Sequence, residues 1–137
     1  MTLHFSINDI EIDRVTEVLF LGVILGKHLS WKSQTHNVAR KFSKSVGIIM
    51  IYKSSFCLNK TSLCTLSYSL VYPYLHYCAS VWGSTYQSNL KRLINLQNRV
   101  IRIVSRSSFD AHANAISVSF RILKFEDIIT LQIRKVM

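Results

Sequence analysis

The pattern of apolar and polar positions changes period twice along the chain. Residues 3–25 read as extended. "LHFSI" and "IEI" alternate on either side of Asn8-Asp9, a turn pair. "VLFLGVIL" is a second β-rich run, with a bend or close backbone approach at Gly22 and its end at Gly26. The spacing then becomes helical. Val38, Phe42, Val46, Ile49 and the stem of Lys53 recur every three or four residues, with Ser30 or Ser33 as the expected cap. Arg40, Lys41 and Lys44 lie off that apolar row.

A third element starts at Asn59, an N-cap by residue type, and runs into "LSYSLVYPYLHYCASVWG", residues 66–83. From Thr61 to Leu90 there is no Lys, Arg, Asp or Glu. This interval admits three readings: a membrane span, a buried helix, or an aromatic surface on which Tyr68 or Tyr86 stacks against a nucleic acid. Serines, four tyrosines, Thr65, His76 and Pro73 crowd the stretch with polar groups and a backbone defect, which favours the buried helix. Pro73 either kinks one helix or opens a second, and Gly83 closes it. Trp31 and Trp82 are read as core anchors.

Residues 88–106, "SNLKRLINLQNRVIRIVSR", give the clearest period. At ~100° per residue, Leu90, Leu93, Ile94, Gln97, Val100, Ile101 and Val104 fall within ~120° of arc. Lys91, Arg92, Arg99, Arg102 and Arg106 fall within ~100° on the other side, a cationic stripe. "SSFDAHANAISVS" reads as a loop with a short helical turn. "FEDIITLQIRKVM" reads as a final helix, with acids first and bases last as the macrodipole favours. The expected fold is α+β and mainly α: a strand unit over residues 1–26, then four to five packed helices over residues 27–137.

Charge sharpens the picture. The 137 residues carry 17 Lys and Arg against 7 Asp and Glu, a net +10. No carboxylate occurs from Val18 to Phe109, where twelve bases stand. Such a one-sided field attracts a polyanion, with nucleic acid first and an anionic membrane surface second. Cys57, Cys64 and Cys78 are an odd number without a C-x-x-C pair, read as free buried thiols of a reducing compartment. Acids near the N-terminus stand where a signal peptide would be apolar. The expected location is therefore intracellular, in nucleus or cytoplasm.

Inventory argues against catalysis. Two-metal nucleotidyl transfer needs clustered carboxylates, and the middle of the chain has none. Asp9, Glu11 and Asp13 belong to a turn and a strand with no second acidic motif. Four scattered glycines build no phosphate loop. His4, His28, His36, His76 and His112 form no H-E-x-x-H, and His76 with Cys78 is a poor zinc pair. No catalytic, metal or cofactor site is expected.

The order of motifs carries more. "FLGVIL", "LSW", "RKFSKSVGII", "SLVYPYLHYCASVWG", "LINLQNRVIRIV" and "ILKFEDI" follow one another from about Val15 to Gln132. Together they resemble the C-terminal part of non-LTR, jockey-like or LINE-type retrotransposon reverse transcriptases. The resemblance implies that Phe20, Leu21 and Gly22 form the last palm hairpin, lying against the primer end. It implies that the later helices are a thumb-like bundle tracking the template–primer duplex. The polymerase aspartates and their Mg2+ would precede this segment, so the chain would be a fragment of an RNA-directed DNA polymerase without its active site. The sequence departs from the family at Gly26, where an acid is usual, at Gln34, where a histidine is usual, and at Ala113–Ser117. Such departures also suit a decayed, non-functional relic. The apolar face left by the missing palm suits a self-associating interaction module. On the leading reading, phosphates of DNA or an RNA·DNA duplex are held by Lys91, Arg92, Arg99, Arg102 and Arg106, with Arg40, Lys41 and Lys44 as a second patch.

Overall fold

The computed structural model describes residues 5–55, 58–108 and 110–137. Cys57, Leu3 and Phe109 lie outside them, as do the other residues of 1–4 and Phe56.

The extended N-terminal region forms two separate antiparallel hairpins. Strands β1 (Phe5–Ile7) and β2 (Ile10–Ile12) pair Phe5 with Ile12 and Ile7 with Ile10. Their two-residue turn is Asn8-Asp9, with φ of 53° and 63°. Positive φ at both positions matches the strand twist, and Asn and Asp tolerate it. Strands β3 (Glu17–Phe20) and β4 (Val23–Gly26) turn at Leu21-Gly22, with φ of 47° and 81°. The bend read at Gly22 is thus a full chain reversal, and Gly22 supplies the left-handed residue that costs other side chains most.

The second hairpin is docked and the first is not. Val23 is buried, and the Ile24 N–H donates to Gln34 Oε1 at 2.9 Å. Ser33 Oγ donates to Glu17, and the Tyr77 hydroxyl donates to the Leu21 carbonyl. Every residue of β1 and β2 is exposed.

Helix α1 (Lys32–Ser55) buries Val38, Phe42, Val46 and Ile49 as its period requires. Neither expected serine caps it. Ser33 lies inside the first turn with its hydroxyl on Glu17. The Ser30 carbonyl receives Thr85 Oγ1 at 3.0 Å and Asn89 Nδ2 at 3.3 Å. Trp31, at φ 57°, takes the cap position, its carbonyl accepting from the Thr35 N–H at 2.9 Å, so Ser30 stands before the cap and Ser33 beyond it.

The uncharged stretch is three helices rather than one or two. Helix α2 (Lys60–Leu70) is capped by Asn59, whose Oδ1 accepts from the Ser62 N–H at 2.8 Å. Helix α3 (Tyr72–His76) carries Pro73 in its first turn, where the missing N–H costs nothing. Helix α4 (Ala79–Trp82) follows Cys78, which adopts the left-handed conformation at φ 53° and redirects the chain. Gly83 closes α4. A Cβ there would meet the Ala79 carbonyl oxygen at 2.3 Å and Ile129 Cγ1 at 2.8 Å, so the residue must be small.

Helices α5 (Gln87–Ser105), α6 (Ala113–Ser119) and α7 (Phe125–Val136) complete the bundle. The fold is α+β and mainly α, with seven helices among the described residues. That exceeds four to five because Pro73 and Cys78 divide the apolar stretch and α6 is a full short helix. None of them is long and apolar enough to cross a membrane. Trp82 is fully buried and stacks on Phe125 with ring centroids 5.7 Å apart, while Trp31 packs half-buried at the core margin.

Helices α1 and α5 form the central pair and run in the same direction. Asn89 meets Ser30 at their starts, Arg99 meets Met50 further along, and Arg106 meets Leu58 past the end of α1. Among the buried polar side chains, Gln97 links α5 to the start of α7. Gln97 Nε2 donates to the Leu123 carbonyl at 2.9 Å, and its Oε1 accepts from the Phe125 N–H at 2.7 Å. The Tyr72 hydroxyl donates to the same Leu123 carbonyl at 3.1 Å. Gln97 thereby satisfies one of the orphan amides at the start of α7. No buried side-chain polar atom among the described residues lacks a partner.

Candidate nucleic-acid interface

The cationic stripe of α5 exists, but its five members do different things. Lys91, Arg92 and Arg99 are exposed. Arg99 Nη2 rests 3.3 Å from Met50 Sδ, which steadies its stem against α1 and leaves the rest of the guanidinium outward. Arg102 is half-buried, and its Nε donates to the Ala111 carbonyl at 3.0 Å. Arg106 closes α5 in the left-handed conformation at φ 57°, and its Nη2 donates to the Leu58 carbonyl. Arg102 and Arg106 therefore tie down the loops before α6 and before α2. Arg102 is half-buried there, whereas Arg106 stays exposed beside its bond. Phase gives direction but not the loops that cross it.

The second patch is brought against the hairpin tip. A cleft of ~370 Å3 between β4 and α1 is lined by Ile24, Lys32, Ser33, His36, Asn37 and Arg40. An adjoining cleft is lined by Glu17, Val18, Leu19, Gly22 and Ile24 on one side and by Asn37, Arg40 and Lys41 on the other. Lys41 and Gly22 also border a third recess with Pro73, Tyr74 and Tyr77. Gly22 of the hairpin tip and Arg40 and Lys41 of the second patch thus share these clefts, whereas Phe20, Leu21 and Lys44 line none of the three. Arg40 Nη2 donates to Asn37 Oδ1 at 3.2 Å, and Lys44 stands exposed one turn further along α1. Sequence reasoning passed over Lys32, His36 and Asn37. The signal was present: Lys32 and His36 precede Arg40 by eight and four residues, on one side of α1.

Gln34, a position where the sequence departs from the resembling family, is buried and pins this hairpin through Ile24. Its role here is to hold one wall of the cleft. Tyr86 is 78% exposed at the start of α5, and Tyr68 is 44% exposed with its ring 4.7 Å from that of Tyr72. Of these two, Tyr86 carries no ring contact among the described residues. Burial, and then neighbouring Tyr68, hold the Tyr72 hydroxyl above the ordinary phenol range. Burial also pushes the Cys64 thiol up. Cys64 and Cys78 are free and half-buried rather than fully buried.

Asp9, Glu11 and Asp13 stand exposed on and just beyond the first hairpin. No three His, Cys, Asp or Glu converge among the described residues. Comparison with protein-family models, with curated proteins and with solved structures finds no match to the chain.

Proposed function

We propose that the chain binds nucleic-acid duplex through its phosphates, as a thumb-like fragment of a retrotransposon RNA-directed DNA polymerase that carries no active site of its own. The observation that supports the binding is the parallel α1–α5 pair. It sets exposed Lys91, Arg92 and Arg99 on one rigid helix and exposed Arg40, Lys41 and Lys44 on its neighbour. The motif order described above supports the parentage. Cations held on packed helices neutralise phosphates without reading base edges, so the binding is sequence-independent.

The test is duplex affinity measured as a function of salt. If all six side chains meet phosphates, the logarithmic slope is about −5, since each contact contributes ~0.9. Changing Lys91, Arg92 and Arg99 to alanine should flatten it by about 2.7. Arg102→Ala should instead leave the slope nearly unchanged and lower the melting temperature, because its Nε bond to Ala111 is structural. A slope unaffected by the triple substitution removes α5 from the interface. No uptake of DNA or RNA·DNA duplex at low ionic strength overturns the function.

A further inference from the structure

The two signs of charge fall on different structural pieces. Residues 5–26 carry Asp9, Glu11, Asp13 and Glu17 against Arg14, a net −3, whereas residues 27–137 carry sixteen bases against three acids, a net +13. The acidic piece also holds a bare apolar face. The pairs Phe5–Ile12 and Ile7–Ile10 put four large side chains on one face of the β1–β2 hairpin, and these are 45–70% exposed. No residue of either strand joins the core cluster. A two-stranded hairpin on its own is marginal in water, so this face gains most from being covered.

The cover must be apolar with a positive border, to face Asp9 in the turn and Asp13 just past β2. The outer side of α1 has both properties. Lys44, Ile48 and Ile51 follow one another at helical spacing, with Arg40 and Lys41 one turn earlier, and Ile48 and Ile51 are 42% and 60% exposed. Lengths agree: three strand residues and the rise from Lys44 to Ile51 each span about 10 Å.

We propose that the chain self-associates, the apolar face of the β1–β2 hairpin of one copy seating on the Lys44–Ile51 face of α1 in a second. Each copy has both halves of the contact, so a two-fold arrangement makes it twice and closes a dimer. The inference does not depend on nucleic-acid binding, and its test contains none.

Sedimentation velocity from low to high micromolar protein should show a monomer–dimer equilibrium. Two charge variants locate it. One combines Asp9→Asn with Asp13→Lys, which keeps a residue suited to positive φ in the turn. The other combines Arg40→Glu with Lys44→Glu. All four side chains are exposed, so both variants keep the core intact. Each variant alone should dimerise about tenfold more weakly or worse, and the two mixed should form a heterodimer tighter than either variant's own. A monomer at every concentration overturns the proposal. So does association that both variants leave untouched, or a mixture no tighter than its parts.

Discussion

Replacing Gln97 by leucine tests whether the helical bundle is locked by a single polar side chain. The change keeps the volume close and removes two hydrogen bonds of unequal consequence. The Phe125 N–H loses its partner at 2.7 Å inside the core, and an orphaned buried donor costs about 1–3 kcal/mol. The Leu123 carbonyl loses the bond at 2.9 Å but keeps the Tyr72 hydroxyl at 3.1 Å, so that loss is ~0.5–1.5 kcal/mol. Added leucine burial returns part of this, leaving a net destabilisation of about 1.5–3 kcal/mol. Tyr72→Phe alone removes the other bond to Leu123 and should cost ~1 kcal/mol. Together the two changes leave the Leu123 carbonyl with neither partner. The pair should therefore be more destabilising than the sum of the singles, by about 1 kcal/mol. Urea melts of the four proteins, read by circular dichroism, complete the cycle. Additivity within ~0.3 kcal/mol would mean that Leu123 is not a shared acceptor. A Gln97→Leu protein as stable as the parent would mean that water reaches the start of α7.

Two further outcomes follow from the same interior. The neutral Tyr72 hydroxyl is held by burial, so its folded pKa exceeds the unfolded phenol value of ~10. Its contribution to stability is complete below that value and is lost as pH rises above it. The parent should therefore lose stability relative to Tyr72→Phe on going from neutral to strongly alkaline buffer. Melting curves that stay parallel across that range would show a solvated hydroxyl. Gly83→Ala forces a methyl against the Ala79 carbonyl and Ile129, so α4 and α7 must part, at a cost of about 1–3 kcal/mol. A thermal melt with an unchanged midpoint would refute that close approach.

What the sequence disclosed and what it hid divide along physical lines. Long amphipathic periods were legible, because burial of one helix face is a local statement repeated many times. Val38, Phe42, Val46 and Ile49 on α1, and the arc from Leu90 to Val104 on α5, are where their spacing put them. Asn59 acts as a cap because its partner, the Ser62 N–H, is only three residues away. Ser30 and Ser33 failed as caps because Trp31 takes the cap position between them, a backbone placement that residue type does not announce. The division of residues 66–83 was half legible. Pro73 announces its break, whereas the left-handed Cys78 has no residue-type signature.

The same distinction governs the candidate interface. Helical phase put all five α5 bases on one side, and phase alone cannot tell a side chain facing solvent from one spanned by a loop. Arg102 is crossed by the segment carrying Ala111, and Arg106 reaches back to Leu58; neither neighbour is visible in a helical wheel. The structure also gives what phase could not, namely that α1 and α5 are parallel neighbours and that Arg40 and Lys41 border the tip of the second hairpin. A cation that is half-buried and bonded to a carbonyl keeps its charge but not its freedom to follow a phosphate. In the proposed binding, exposed Lys91, Arg92, Arg99, Arg40, Lys41 and Lys44 carry the phosphate contacts, while Arg102 and Arg106 each commit a bond to a loop carbonyl.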